Sequence, residues 1–325
     1  MIKPARLFLV IITSAFSLSL SAQQDAQFTQ YMFNSLYYNP AYAGLSDGTE
    51  LTAIHRSQWL GYQGTVNESG APNTQMISYN SKISSLPAGI GLYILNDQLG
   101  PSSNLEVQMS FSYQFKLKGG ATLNFGLKGG LYSTSLDFDQ LVFVDPSDVV
   151  AGLTGKETQI KPDLGFGVYY RKGNFFGGLS ANHLMGIAFD FGEAQISNQL
   201  SRHYYLNAGY DYNVNSKLTI TPTILLKSVS LDTYNFDLSV IGKYNDMLWA
   251  GIAYRQSESV SAMFGYKLLS DKSLTLAYAF DFVVSNSASK EPTSHELMLI
   301  YNFKSKNKSA RKSGSRIIRT PRYRY

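Results

Sequence analysis

The sequence of 325 residues contains no cysteine, and beyond its first residues it has no long hydrophobic run. Without cysteine, disulfides, thiolate metal sites and a cysteine nucleophile are excluded. A transmembrane helix needs about eighteen or more apolar residues in a row, and no later segment provides them, so we exclude helical spans. Histidine is scarce, with 4 residues, whereas Tyr (23) and Phe (19) are abundant.

Residues 1–22 have the pattern of a secretory signal peptide. Lys3 and Arg6 precede the apolar run 7–12, and small residues follow up to Ala22, where we predict cleavage. The apolar run is too short to span a membrane comfortably, and no cysteine follows it to carry a lipid anchor. We therefore expect the mature chain to be held in place by its own fold.

Residues 104–117 alternate strictly between apolar and polar side chains. Leu105, Val107, Met109 and Phe111 fall on one face, and polar residues such as Glu106 fall on the other. This period of two predicts a single β-strand. At roughly 3.3 Å per residue it would be about 40 Å long, which suits a strand that crosses a bilayer at a tilt.

The same alternation recurs along the chain and predicts fourteen strands. They lie near residues 50–59, 74–83, 88–95, 104–117, 122–132, 163–171, 174–183, 203–213, 217–227, 234–243, 247–255, 260–268, 273–282 and 293–303. We predict an all-β fold, a transmembrane antiparallel β-barrel of about 14 strands over residues 50–303 with a polar interior. Pro222 lacks a ladder donor, so we expect a bulge there.

Connection lengths predict which end of the barrel faces out. The connections 84–87, 118–121, 172–173, 214–216 and 244–246 are tight, whereas 60–73, 133–162, 184–202 and 283–292 are long. Outer-membrane barrels have short periplasmic turns and long outer loops. We therefore predict a bacterial outer-membrane location with both termini in the periplasm.

Charged residues on the polar faces of the strands are predicted to project into the lumen. They are Arg56, Glu106, Asp163, Arg171, Asp211, Lys217, Asp237, Lys243, Arg255, Lys267, Asp281 and Glu296. One interpretation is that they line a conduit, but mixed signs that cancel one another are also what a closed, hydrogen-bonded interior needs. No ring of a single sign emerges, and this favours the structural interpretation.

Residues 304–325 form a basic tail with nine cations and no acidic residue. The cations are Lys304, Lys306, Lys308, Arg311, Lys312, Arg316, Arg319, Arg322 and Arg324. Without these nine and the two of the leader, the formal net charge of +5 becomes −6. Such a tail cannot bury enough apolar surface to fold alone, so we expect it to be disordered in the periplasm. It is a candidate contact for an acidic partner, although charge runs are usually only solvated.

Motifs ahead of the first strand carry a family resemblance. They are Gln27-Phe28-Thr29-Gln30-Tyr31-Met32-Phe33-Asn34 and Tyr37-Tyr38-Asn39-Pro40-Ala41-Tyr42-Ala43-Gly44, followed by His55-Arg56-Ser57-Gln58-Trp59. Later pieces are Gly89-Ile90-Gly91-Leu92, Pro162-Asp163-Leu164-Gly165 with Gly167, Gly178-Leu179-Ser180 with Asn182-His183-Leu184, and Leu248-Trp249-Ala250-Gly251 with Tyr254-Arg255. The chain resembles the PorP/SprF family of outer-membrane proteins of the type IX secretion system.

The resemblance implies a non-enzymatic component that works with a periplasmic ring of the secretion machine. Relatives in gliding bacteria also support secretion and surface attachment of large adhesins. The expected partners are therefore a ring lipoprotein, a secreted surface protein or adhesin, and outer-membrane lipid, with no nucleic acid and no cofactor. The basic tail does not belong to the family pattern.

Residues 23–49 have two interpretations, as a recognition element or as a plug or rim segment of the barrel. A short helix would place Phe28, Tyr31, Met32 and Leu36 on one face, and Asn39-Pro40 would turn the chain into the barrel. As a recognition element, its partner-binding candidates are Phe28, Gln30, Tyr31, Met32, Asn39 and Pro40. Aromatic stripes at helical spacing more often pack than bind, which favours packing against the periplasmic rim.

Enzymatic and metal sites are not predicted. The four histidines, His55, His183, His203 and His295, are scattered without ligand spacing or a carboxylate cluster. Ser180 and His183 are an odd number of residues apart on one strand and would point to opposite faces. The acidic loop with Asp137, Asp139, Asp145 and Asp148 lacks the glycine and terminal glutamate of a calcium loop, so we expect it to be solvated.

Two functions therefore compete. The first is a type IX secretion barrel that couples periplasmic machinery to surface proteins. The second is a transporter for hydrophobic solutes of the fatty-acid-transporter type, since such a barrel also has fourteen strands. Fold alone does not separate them. An apolar tunnel plugged by the amino-terminal segment would favour the second.

Overall fold

A computed structural model describes residues 25–46, 48–62, 70–141, 153–192, 196–285 and 290–303. The basic tail and the predicted signal peptide lie outside the described residues. Within these ranges no helix is long and apolar enough to cross a membrane.

The described residues contain seventeen strands, and all but two of them build one closed antiparallel barrel. They are β1 (Thr49–Ser57), β2 (Asn73–Ile83), β3 (Ala88–Leu99), β4 (Ser102–Lys116), β5 (Thr122–Asp137), β6 (Lys156–Lys172), β7 (Phe175–Asn182), β8 (Ala188–Phe191), β9 (Ile196–Gln199), β10 (His203–Tyr210), β11 (Tyr212–Asn213), β12 (Leu218–Val229), β13 (Thr233–Tyr244), β14 (Leu248–Arg255), β15 (Ser259–Leu268), β16 (Leu274–Val283) and β17 (Thr293–Phe303). β10 and β11 together form one barrel strand, so the barrel has 14 strands, as the sequence predicts. β1 pairs with β17 and closes it.

The period-two pattern of β4 separates an apolar outer face from a polar inner face. Val107 and Met109 are exposed on the outside, at 38% and 58%, whereas Glu106 and Gln108 are buried inside, at 3% and 0%. Closure gives every strand of the barrel a neighbour on both sides, and strands in lipid need such pairing to satisfy their backbone groups. The sequence interpretation of this strand is confirmed.

The two ends of the barrel differ in their connections. At one end, the turn end, short connections such as 84–87, 173–174 and 245–247 join the strands, and β1 begins and β17 ends there. The opposite loop end carries the longer connections, although β3 and β4 are joined there by only Gly100 and Pro101.

A lobe extends beyond the barrel wall at the loop end, and the sequence patterns do not predict it. β5 and β6 stay paired up to Asp137 and Lys156, whereas β7 pairs with β6 only from Phe166 onward. The extra hairpin β8–β9 lies within the predicted loop 184–202. We call the extended parts of β5 and β6 together with β8 and β9 the loop-end lobe. Its small core contains Tyr132, Phe138, Phe189 and Phe191.

The bulge predicted at Pro222 is wrong. Gly209 pairs with Thr223 and Tyr212 pairs with Ile220, which is the same register on both sides of Pro222. No residue is inserted. Instead the pairing with β12 is interrupted at Tyr210 and Asp211, and Tyr210 lies opposite Pro222, which has no N–H to donate.

Candidate functional site

Residues 25–46 run through the barrel lumen from the loop end to the turn end. At the loop end, Asp25 Oδ1 lies 3.0 Å from Nε2 of His183, which directly follows β7. At the turn end, the hydroxyl of Ser112 on β4 donates to the carbonyl of Ala43. The chain then enters β1. We call residues 25–46 the plug segment.

The plug segment consists of three short helical turns and not of the single helix that the sequence predicts. A 3₁₀ turn at Tyr31–Phe33 is followed by an α-helical turn at Ser35–Tyr38 and a second 3₁₀ turn at Pro40–Tyr42. The break at Asn39 has a physical reason, because the residue before a proline is disfavoured in the α region. Asn39 is extended, and its side chain accepts a bond of 2.9 Å from the amide of Ala41.

A first charge network fastens the plug segment to the wall. Arg56 on β1 forms ion pairs with Asp281 at 2.7 Å and with Glu296 at 3.3 Å, and all three side chains are at most 1% exposed. The backbone amides of Thr29 and Gln30 donate to Glu296 at 2.7 and 2.9 Å. A buried ion pair is favourable only when further hydrogen bonds satisfy its remaining polar atoms, and the plug segment supplies those bonds.

A second network lies beside the first. Asp237 on β13 is paired with Lys227 at 3.0 Å and with Arg255 at 3.3 Å. The Arg255 guanidinium also donates to the carbonyl of Phe28 at 2.9 Å, and Lys227 donates to the side chain of Gln27 at 2.9 Å. The luminal cations therefore bind the plug backbone and side chains as well as their acidic partners.

Aromatic packing fills the space between these networks. The ring of Tyr37 lies 5.4 Å from Phe28 and 5.5 Å from Tyr93 of β3, in edge-to-face geometry. The ring of Tyr38 lies 5.2 Å from Tyr205. Such pairs stabilise beyond the area they bury.

Wall glycines allow the plug backbone to lie directly against the strands. A Cβ on Gly126 would collide with the backbone of Pro40 and Ala41, and a Cβ on Gly89 would collide with Gly44. These close approaches exclude any larger side chain at Gly126 and Gly89 unless the plug moves.

The scattered family motifs converge on the plug segment. Arg56 and Arg255 bind it through charge, Asn182 donates to the carbonyl of Tyr37 at 3.4 Å, and Trp249 packs on Phe33 at 4.5 Å between ring centroids. Several glycines of these motifs also lie against the plug segment, namely Gly89, Gly91, Gly167 and Gly178, whereas Gly165 and Gly251 face residues of the wall.

Seven of the twelve predicted luminal charges are buried in the lumen. They are Arg56, Glu106, Asp163, Asp237, Arg255, Asp281 and Glu296. In contrast, Arg171 and Lys217 are exposed, because they lie close to the turn end, and Asp211, Lys243 and Lys267 are partly exposed. Lys128 was not among the predicted set, yet it is 2% exposed and donates to the hydroxyl of Tyr93 at 3.0 Å.

A cluster of histidine and carboxylate side chains lies at the loop end of the lumen. His183 Nε2 lies 3.0 Å from Asp25, and its Nδ1 lies 3.0 Å from Asp163 Oδ2. His203 Nδ1 lies 3.4 Å from Asp25 Oδ1, and the hydroxyl of Tyr205 donates to Asp25 Oδ2. We call Asp25, Asp163, His183, His203 and Tyr205 the loop-end cluster.

Electrostatics favour the ionised forms of Asp25 and His183. Burial by itself would lower the pKa of His183, but the carboxylates of Asp25 and Asp163 raise it to about 10. Burial opposes ionisation of Asp25, yet His183 and His203 hold its pKa below its ordinary value. Opposite charges at about 3 Å outweigh desolvation here.

Two expectations about His183 are wrong. First, Ser180 and His183 do not point to opposite faces: both are buried inside, because His183 lies past the end of β7 with a left-handed backbone (φ 55°). Second, His183 and His203 are not scattered, since their rings lie 5.6 Å apart and share Asp25. Asp25, His183 and His203 are too far apart in the sequence to form a recognisable metal-binding motif. Asp145 and Asp148 of the acidic loop lie outside the described residues.

The predicted partner-binding residues of the plug segment are inside the barrel. Phe28, Gln30, Tyr31 and Asn39 are at most 3% exposed, and Pro40 is also buried. Met32 is partly buried and packs on the same core. The segment fills the lumen over its length and meets the turn-end rim only near its end, so these side chains present no free surface. The nine tail cations lie outside the described residues.

The fold and the lumen define a plugged β-barrel of the outer membrane. Residues 20–301 match the family of type IX secretion system membrane proteins PorP/SprF, so the chain belongs to this family. The comparison with curated proteins found no significant match.

Solved structures similar to this chain include two proteins described as toluene transporters. One is the toluene transporter TbuX of Ralstonia pickettii, with 11% identity, a TM-score of 0.52, and coverage of 83% of this chain and 93% of that chain. Another is the toluene transporter TodX of Pseudomonas putida, with 12% identity, a TM-score of 0.47, and coverage of 86% and 95%. The first similarity concerns the barrel fold alone. Family and fold are those of a membrane component and not of a known enzyme.

Proposed function

We propose that this protein is a structural adaptor of the type IX secretion system, which joins periplasmic machinery to surface proteins without conducting them through its own lumen. The observation that carries the proposal is the seated plug segment. Buried cations and anions of the wall bind its backbone at Phe28, Thr29 and Gln30. Charges engaged in this way hold a segment in place and do not select a passing solute.

The loop-end lobe is the proposed contact for a secreted surface protein or adhesin. It extends past the loop end of β7 and has its own small aromatic core around Phe189 and Phe191. Its rims carry exposed polar residues such as Glu157 and Asp190. A lobe with its own packed core suits surface attachment better than an unsupported loop would.

The basic tail is the proposed contact with the periplasmic side. Its nine cations follow β17, which ends at the turn end beside the start of β1. The proposed partner is acidic: the ring lipoprotein of the secretion machine or a peptidoglycan-associated protein. Because the plug residues are buried, we assign periplasmic docking to the tail and the turn end.

Deletion of the gene tests the adaptor function. We expect loss of surface display of one or a few secreted proteins, with uptake of small solutes unchanged. Complementation with the wild-type chain should restore display. Normal surface proteins together with accumulation of a hydrophobic solute outside the cell would contradict the adaptor function and support a transporter.

The transporter alternative is based on the fold similarity to TbuX. It would require an apolar path through the lumen. In the described part of the chain, the wall facing the plug segment carries Arg56, Asp237, Arg255, Asp281 and Glu296, all at most 4% exposed. A lumen this charged is a poor path for a hydrocarbon, and we therefore favour the adaptor.

A further inference from the structure

We propose that Asp25, His183 and His203 bind one divalent transition metal ion, with Zn²⁺ the best match, which fastens the beginning of the plug segment to the loop end of the barrel. One ligand atom from each of the three residues lies within 4.8 Å of the others. Asp25 Oδ1 is 3.0 Å from His183 Nε2. Two ligands at about 2.0–2.1 Å from a tetrahedral ion are about 3.3 Å apart, so Asp25 and His183 already have nearly the required spacing.

The second nitrogen of each histidine is already engaged. Nδ1 of His183 lies 3.0 Å from the carboxylate of Asp163, and Nδ1 of His203 lies 2.9 Å from the carbonyl of Ser201. In metal sites, a carboxylate or carbonyl bound to one ring nitrogen orients the other nitrogen toward the metal. Nε2 is therefore the ligand nitrogen of both residues. Nε2 of His183 faces the carboxylate of Asp25, and Nε2 of His203 accepts a hydrogen bond of 3.3 Å from the backbone amide of Asp25, which the ion would replace.

The backbone of His183 supports a built site. His183 adopts a left-handed conformation (φ 55°) directly after β7, and this turns its ring into the lumen. Such a conformation is unfavourable for a residue with a Cβ and persists where the surroundings impose it, often at functional sites. The ring is 1% exposed and packs edge-to-face on Tyr132.

The donor set selects the class of ion. Two imidazoles and one carboxylate suit Zn²⁺ and its neighbours, whereas Mg²⁺ and Ca²⁺ prefer oxygen ligands throughout. The charge also fits, because Asp25 and Asp163 are two buried carboxylates that a divalent ion would neutralise. A small pocket of about 20 Å³ lies beside Asp25 and His203.

The test uses the full-length protein, purified from membranes in detergent with a tag that contains no histidine, and stripped with EDTA. Titration with ZnCl₂ should show saturation at about one ion per chain. Asp25→Asn, His183→Gln and His203→Gln should each weaken binding at least about 10-fold, because each removes a ligand. Asp163→Asn, which removes only the orienting carboxylate, should weaken it by about 10- to 100-fold.

Matched controls use the two histidines outside the cluster. His55 is exposed on the outer face, and His295 pairs with Tyr278 away from the cluster. His55→Gln and His295→Gln should leave Zn²⁺ binding unchanged. As a second measurement, Co²⁺ added to the stripped wild-type protein should give visible absorption bands of a low-coordinate nitrogen and oxygen site.

Two results would overturn the proposal. One is a folded, heat-modifiable wild-type protein without saturable Zn²⁺ binding or a Co²⁺ spectrum. The other is binding that is unchanged in folded His183→Gln and His203→Gln. If a variant does not fold, the Co²⁺ spectrum of the wild-type protein shows whether the site binds a metal ion. The inference does not depend on the adaptor function, since metal binding and surface display are measured separately.

Discussion

Arg56 illustrates how single residues hold the lumen together. Its side chain is completely buried and forms ion pairs with Asp281 and Glu296, while Glu296 in turn accepts hydrogen bonds from two amides of the plug segment. Each buried group of this network has its neighbour as an ion-pair or hydrogen-bond partner, so the network stabilises the fold only when all of its members are present. Removal of one member leaves a buried charge without a partner.

Replacement of this arginine tests the network. Arg56→Met should destabilise the folded barrel by about 3–5 kcal/mol, the typical effect of breaking a buried pair. We expect the temperature at which the unboiled, fast-migrating form disappears in gel electrophoresis to fall. The matched control is Arg171→Gln, since the Arg171–Asp211 pair has side chains 50% and 21% exposed and such pairs contribute about 0–1 kcal/mol. Equal effects of the two variants would contradict the network.

Because His183 contacts Asp25, we expect the stability of the first residues of the plug segment to depend on pH. Its pKa is raised from 6.5 to about 10, so its stabilising contribution is fully present below pH 6.5 and is lost as the pH rises through about 10. Asp25, Asp163, His203 and, at longer range, Glu106 surround it. The effect should be confined to the loop end of the plug segment.

Hydrogen exchange in the presence of EDTA measures this dependence. Protection of residues 25–30, corrected for intrinsic exchange rates, should fall between pH 7 and 10.5, while residues 40–46 should stay protected. In His183→Gln the fall should be absent, since the titrating group is gone. A fall of the same size in the variant would show that another group is responsible.

At the scale of elements, local patterns predict the barrel strands well and the lobe poorly. A strand in the wall faces lipid on one side and the lumen on the other, so its sequence must alternate. β8 and β9 are four residues each, outside the wall, where no such constraint acts. The plug segment likewise adopts three short turns because asparagines and a proline interrupt it, and hydrophobic spacing does not reveal this.

The fit between the plug segment and the glycine-bearing wall can be tested on β5. Gly126→Val should prevent seating of Pro40 and Ala41, because a Cβ there collides with their backbone. The matched control is Gly129→Val on the same strand, where a Cβ meets only the end of Leu164 at 3.4 Å.

The chain has no native cysteine, so Ser35→Cys provides a single labelling site in the plug segment. Modification by a membrane-impermeant maleimide should be slow in the wild-type background and in Gly129→Val. It should be at least about tenfold faster in Gly126→Val, as in a locally open state. Equal rates in all three backgrounds would mean that the plug tolerates the collision.

At the scale of the whole molecule, charge divides the protein into a mildly acidic barrel and a basic tail. Truncation after Phe303 should leave assembly and heat modifiability intact, since a closed barrel needs no tail to satisfy its backbone. Co-purification of an acidic periplasmic partner should be lost. In the full chain that contact should weaken with salt, because exposed charges are screened over roughly 8–10 Å. A truncated protein with its complete partner set would show that the tail does not dock.

The sequence by itself determined the class of fold, the number of strands, the side of each strand that faces lipid, and the family. These follow from short-range patterns, because each strand residue meets either lipid or lumen and the choice repeats every two residues. Most luminal charges could also be predicted in this way.

Only the tertiary structure decided where the plug segment lies and what it contacts. Asp25 and His183 are 158 positions apart, and Arg56 and Glu296 are 240 apart. Barrel closure brings such residues together, and local sequence patterns do not show which distant residues become neighbours. The same closure brings His183 and His203 together. The expected recognition residues lie inside the wall, because a segment with so many aromatic side chains is most stable where it can bury them.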